Sequence, residues 1–208
     1  MASDFWDERY SGADYKFGTE PADFVARNAY RVAPGERVLS IADGEGRNSV
    51  YLAERGAQVT GMDGSGVAIE KARKLAALRG VTVSLTQADI TRWDWTPGAF
   101  DVVLGVFFQF APPAMRADIF NGLAQTLAPG GLLLLHGYAP RQLGYGTGGP
   151  PVADNLWTIE LMRESFAGFD VIEARDYDAE ISEGTGHRGK SALIDFVARK
   201  PASTGTAA

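Results

Sequence analysis

Cysteine is absent from the sequence, and histidine nearly so, with only His136 and His187. The first absence excludes disulfides, thiolate metal sites and a cysteine nucleophile. The second leaves no histidine-rich cage, so no metal is expected. There is no dense Lys/Arg block, and acidic residues outnumber basic ones by 26 to 20, which argues against a nucleic-acid backbone as partner. Long hydrophobic runs are scarce too. Residues 119–140 carry no charge, but Asn121, Gln125 and Thr126 interrupt them and Pro129-Gly130-Gly131 breaks them, so they read as helix, turn and buried strand. The opening MASDFWDER is acidic where an export signal is basic and then apolar. These features lead us to expect a cytoplasmic chain without a membrane partner, acting as a monomer or homodimer.

What is present is a 208-residue chain, 45% hydrophobic and 22% charged, long enough to bury one full core. Apolar β-rich stretches alternate with helical patterns. Strands are expected at 37–42, 58–62, 81–87, 100–107 and 132–137, and helices at 46–55, 66–79, 112–127 and 156–166. Two last strands, 169–179 and 191–200, are separated only by a loop and read as an antiparallel hairpin. The expected fold is α/β: a single Rossmann-like doubly wound sheet of seven strands, mostly parallel, with helices on both faces. Residues 1–36 are read as a helical lid, 37–200 as the Rossmann-like domain, and 201–208 as a disordered tail. In such a sheet ligands bind outside the carboxyl ends of the strands.

Directly after the first strand comes Asp43-Gly44-Glu45-Gly46-Arg47-Asn48-Ser49. Gly44 and Gly46 allow a tight turn and close approach of backbone to ligand, and the helix that follows offers free amides. Nineteen positions after Gly44, Asp63 ends the second strand, where a carboxylate accepts from both ribose hydroxyls. This pairing points to a nucleoside-containing cofactor. Asp89, in Ala88-Asp89-Ile90 after the third strand, either accepts from an adenine amine or caps a short helical turn.

The segments VLSIADGEGRN, VTGMD, ADI, FDVVLG and LAPGGLLLL, with the closing hairpin, resemble class I S-adenosylmethionine-dependent methyltransferases. FWDERY and QLGYGTGGP are similar to the tellurite-resistance and thiopurine methyltransferase group. The resemblance implies S-adenosylmethionine as cofactor and S-adenosylhomocysteine as product. It places Gly44 and Gly46 near the methionyl and ribose parts, Asp63 on the ribose with Gly64 beside it, Asp89 and Ile90 on the adenine, and Val106 near the sulfonium. Arg47 and Asn48 are candidates for the methionyl carboxylate, and Tyr10 and Phe17, with Trp6 and Tyr15, for an aromatic lid. The chain departs from the family pattern in having Ser40 in the place of an acid and Ala42 in the place of a glycine; Asp43 is the candidate replacement carboxylate.

For the acceptor side, the candidate catalytic residues are His136, Tyr145 and Gln109; His136 is either a general base or a hydrogen-bonded structural histidine, and Tyr138 and Tyr145 either line the pocket or pack the loop. His187 and Arg188 are read as solvated loop residues, although Arg188 could hold an anionic acceptor. The glycine-rich loop 142–151 is either a mobile flap or a rigid turn. The absence of an Asn/Asp-Pro-Pro-aromatic motif after the fourth strand argues against nucleobase amines. The expected activity is methyl transfer to a small molecule, with a thiol or chalcogen oxyanion as a candidate acceptor. The alternatives are an NAD(P)-dependent reductase and a non-catalytic cofactor-binding module.

Overall fold

The computed structural model describes residues 2–202. Its centre is a seven-stranded sheet formed by β1 (Arg37–Ile41), β2 (Gln58–Asp63), β3 (Ser84–Gln87), β4 (Phe100–Val106), β5 (Leu127–Tyr138), β6 (Asp170–Glu183) and β7 (His187–Arg199), in the order β3-β2-β1-β4-β5-β7-β6. β1 to β5 pair in parallel, and β7 runs antiparallel to both β5 and β6. The strand order reverses between β1 and β4, so their carboxyl ends open the crevice where such sheets take ligands.

Alternation along the strands divides the core in two. Leu39, Ile41, Leu133, Leu135 and Phe196 pack on one face with Phe108, Phe120 and Trp157. Val38, Leu132, Leu134 and Val197 pack on the other with Phe24, Val25 and Leu52. This is the period-two pattern of strands covered on both sides.

The helices are α1 (Ala2–Tyr10), α2 (Asp23–Asn28), α3 (Arg47–Glu54), α4 (Gly66–Arg79), α5 (Pro113–Thr126) and α6 (Ile159–Ser165). Their ends follow local chemistry. Ser65 caps α4 by accepting from the Ala68 amide, and Gly80 closes it in the left-handed conformation. Pro113 opens α5, where its missing N–H leaves nothing unsatisfied.

Three expected boundaries shift, each for a visible reason. β5 begins at Leu127 because Pro129-Gly130-Gly131 bulges without breaking the strand, and the Gly130 amide donates to Lys200 O at 3.0 Å. β3 begins only at Ser84, because the Val81 amide still closes the end of α4 on Ala76 O. α6 starts at Ile159, capped by Thr158, because the Trp157 amide is held by Tyr138 O. A larger change concerns the hairpin. Its strands run on to Glu183 and His187, absorbing most of the expected loop and leaving a tip of three residues, 184–186. Of the expected tail, residues 203–208 lie outside the described residues.

Candidate active site

Two adjoining chambers lie over the carboxyl ends of the strands. Their shared walls are Phe5, Trp6, Tyr10, Ala42, Phe107 and Phe110. The larger, about 710 Å³, is reached by Asp63, Gly64, Asp89 and Ile90. The smaller, about 380 Å³, is reached by Gly44, Arg47, Asn48, Val106, Gln109, Tyr138, Asn155 and His187.

At the glycine turn the chain adopts positive φ at Ala42 (44°), Gly44 (60°) and Gly46 (85°). Ala42 is therefore an L-residue in a conformation that suits glycine, at the first position where the sequence departs from the family pattern. The Asp63 carboxylate stands beside the turn, accepting from the Gly44 amide on Oδ2 and from the Ser65 amide on Oδ1, each at 2.8 Å. Burial raises its pKa, and the two amides oppose that shift. One lone pair on each oxygen remains for further donors. Asp89 performs the capping task and stands at the wall of the large chamber. Its Oδ1 accepts from the Thr91 amide and hydroxyl, capping the turn at 90–92.

Asp43 behaves differently. Its Oδ1 accepts from Ser40 Oγ at 2.6 Å and its Oδ2 from Ser49 Oγ at 2.5 Å. Burial pushes its pKa up to about 6 against the pull of those hydroxyls. The carboxylate is thus tied to Ser40 and Ser49, while the residue still lines the small chamber. Gly46 also has a packing role: an added Cβ would lie 2.7 Å from Ala72 Cβ on α4, and the residue lines neither chamber.

Glu45, which the sequence reading passed over, fastens the N-terminal segment to the turn. Its Oε2 accepts from the Lys16 amide at 2.7 Å, and its Oε1 holds Lys71 Nζ at 2.8 Å. Asn48 accepts from the Ala22 amide. α1 roofs the chambers, with Trp6 stacked on Tyr10 and Asp7 accepting from Ser65 Oγ and the Val67 amide. Tyr15 lies away from both chambers and donates to Lys71 O.

The expected acceptor residues are redistributed. His136 lies outside both chambers, stacked on Phe24 with its Nδ1 2.7 Å from Asp195 Oδ1. Asp195 is fully buried and also accepts from Arg27, so this cluster joins β5, β7 and α2. Tyr145 points away as well, donating to Asp178 on β6. Gln109 does line the small chamber, but its amide clamps the Tyr138 backbone, accepting from the N–H at 2.5 Å and donating to the carbonyl at 2.8 Å. Loop 142–151 is stapled by Gln142, which donates to Thr147 Oγ1 and Gly148 O and accepts from the Ala192 amide.

His187, read from the sequence as solvated, is buried in the small chamber wall. Phe17 and Phe107 stand 4.2 Å from its ring and Tyr138 5.9 Å. Its Nδ1 lies 3.5 Å from Glu183 Oε2, and Glu183 is held in turn by Arg47 at 2.7 Å. Burial alone would raise the Glu183 pKa, but His187 and Arg47 bring it down to about 2. Burial lowers the His187 pKa, with Glu183 opposing, so the imidazole is neutral at neutral pH. The hairpin tip that carries it is tied down by the Thr185 and Gly186 amides, which both donate to Lys16 O.

Residues 38–131, 94 of the 208, match the profile of a methyltransferase domain. The chain is 32% identical over 135 residues to the demethylmenaquinone methyltransferase of Thermus thermophilus, covering 64% of this chain and 59% of that one. It is 31% identical over 125 residues to an uncharacterised methyltransferase of Synechocystis, covering 60% and 55%. The aligned part thus spans a little over half the length of these curated relatives. Among solved structures, one describing conversion of a disulfide bond into a thioacetal group during echinomycin biosynthesis matches 99% of this chain and 95% of its own, with a TM-score of 0.80 at 18% identity. TehB from Haemophilus influenzae matches 95% of this chain and 66% of its own, with a TM-score of 0.70 at 19% identity. These two likenesses concern the fold.

S-adenosylmethionine is the cofactor of this domain type, and the residues present fit it. Asp63 keeps acceptor capacity at the chamber wall, and Gly44 lets the backbone line the chamber where an added Cβ would crowd Tyr10 Oη at 3.0 Å. Aromatic faces at the shared wall suit a sulfonium cation. Among the described residues no group of three His, Cys, Asp or Glu side chains is placed to hold a metal, and no helix is long and apolar enough to cross a membrane.

Proposed function

We propose that the protein transfers a methyl group from S-adenosylmethionine to a small-molecule acceptor. The observation that carries this reading is the pair of chambers meeting at one aromatic wall, with the Asp63 carboxylate in the larger. In this reading Asp63 holds the ribose and Asp89 and Ile90 the adenine. The amides at the start of α3 face the methionyl end, and the acceptor enters the smaller chamber. When bound there, the cofactor supplies a methyl group already activated on a positively charged sulfur.

The chain's own contribution is alignment and exclusion of water. α1 covers the site from above, Glu45 pins residues 16 and 17 across it, and the hairpin tip closes the side. The 380 Å³ of the smaller chamber suits a small molecule and not a polymer. The likeness to TehB supports the fold of the tellurite-resistance group, and a thiol or chalcogen oxyanion belongs in the acceptor screen. The cytoplasmic, monomeric or homodimeric state and the lid role of residues 1–36 are part of this same proposal. Asp63→Ala tests it: calorimetry is expected to show S-adenosylhomocysteine binding weakened more than tenfold while circular dichroism shows the fold intact. Unchanged affinity in a folded variant would remove the proposed ribose site.

A further inference from the structure

Among the described residues, four buried side-chain N or O atoms have no hydrogen-bond partner within the protein, and two of them are oxygens: Tyr138 Oη and Asn155 Oδ1. Both residues line the small chamber, and each is at least nine-tenths buried. A buried polar atom without a partner is costly, about 1–3 kcal/mol, and calls for an explanation where it occurs. Two such atoms on residues that line one chamber are explained together by a ligand that reaches and satisfies both.

The same chamber holds the His187 imidazole. Its Nδ1 faces Glu183, and among the described residues no group hydrogen-bonds its Nε2. The charged and titratable groups around it are Glu183 on β6, Arg47 on α3, and Tyr138 and, farther off, His136 on β5. Arg47 is committed to Glu183 and to Phe17 O, so the chamber's buried cation is already neutralised, and the second cation of the lining, Arg9 on α1, is exposed at the rim and lies over the Trp6 ring. The walls are rings and prolines: Trp6, Phe107, Phe110, Pro150 and Pro151. A site with that lining favours a flat apolar body over an oxyanion, which would call for an uncommitted positive charge.

Resting on the methyltransferase reading, we propose that the small chamber binds an aromatic or heteroaromatic acceptor bearing an O–H or N–H group. Tyr138 Oη and Asn155 Oδ1 hold the polar edge of this acceptor, and His187 Nε2 accepts the proton it loses. In the step itself, the acceptor's lone pair forms the bond to the methyl carbon. The carbon–sulfur bond breaks with its electron pair passing to sulfur, and the acceptor's proton goes to His187 Nε2 and then to solvent. Burial keeps His187 neutral and so able to take that proton.

The test uses the full chain saturated with S-adenosylhomocysteine, with phenol and its near-isostere toluene as probes. Nitrogen-15 NMR reads the imidazoles, which the presence of only two histidines makes simple to assign. Phenol is expected to bind saturably and shift the His187 resonances while leaving those of His136 in place. Tyr138→Phe, which removes only the unpartnered oxygen, is expected to weaken phenol about tenfold and leave toluene unchanged. His187→Gln should abolish the acid limb of phenol recognition, seen as loss of the pH dependence of its binding below neutrality. Failure of phenol to bind, unmoved His187 signals, or equal effects of Tyr138→Phe on both probes would overturn the proposal with the cofactor reading intact. Failure of S-adenosylhomocysteine itself to bind would overturn both.

Discussion

The two chambers are built from different kinds of structure. The larger rests on consecutive βα units, where Ala42, Asp63 and Asp89 stand at the carboxyl ends of β1, β2 and β3, neighbours in the parallel register. The smaller is assembled from parts far apart in the chain: α1, the end of β5, Asn155 and the tip of the β6–β7 hairpin. Its polar groups are fixed by long-range pairs such as Arg47 with Glu183, 136 positions apart. One chamber is the fold's own switch point, and the other is added to it by segments that can vary without disturbing the sheet.

That contrast predicts where substitutions act. The largest effect is expected in the assembled chamber. Arg47→Met leaves the buried Glu183 carboxylate without its cation and should destabilise the fold by about 3 kcal/mol. The double variant Arg47→Met/Glu183→Gln should recover most of this in chemical denaturation, and no recovery would show that the pair is not what joins the hairpin to α3.

The next effect concerns Asp43 in the turn and has a pH signature. Its folded pKa, about 6, lies above the ordinary aspartate value of 3.8. The folded state therefore favours the protonated acid, and this contribution, full below about pH 4, is lost as pH rises through 6. Asp43→Asn cannot ionise, so it should be more stable than the parent at pH 8 by about 2–3 kcal/mol and lose that advantage near pH 4. Affinity for S-adenosylhomocysteine should stay within a few fold, because both Asp43 oxygens are engaged by Ser40 and Ser49. A tenfold loss would return Asp43 to the methionyl end of the cofactor. The smallest effect belongs to Ala42→Gly, which relieves a positive φ and should stabilise the fold by about 1 kcal/mol in thermal unfolding.

The same contrast governs what the sequence made legible. Glycine spacing and strand-end acids are local signals, so the placement of Gly44 beside the small chamber and of Asp63 and Asp89 beside the large one follows from the order of elements. Gly46 and Asp43 belong to the same motif, but their work is packing against Ala72 and hydrogen bonding to two serines, which the motif alone does not distinguish from ligand contact. His136 sits at a strand end like a functional residue, yet Phe24 and Asp195, both distant in sequence, enclose it. His187 was hidden because residues 180–190 resemble a loop. The available signal was the turn Glu183-Gly184-Thr185-Gly186-His187, whose glycines suit a tight hairpin and bring Glu183 and His187 directly opposite each other.

The account stands on the identity of the ligand in the larger chamber. Side-by-side calorimetric titration of the full chain with S-adenosylhomocysteine and NADH measures it directly. Saturable one-to-one binding of S-adenosylhomocysteine with no heat from NADH is the predicted result; binding of NADH without S-adenosylhomocysteine would contradict it.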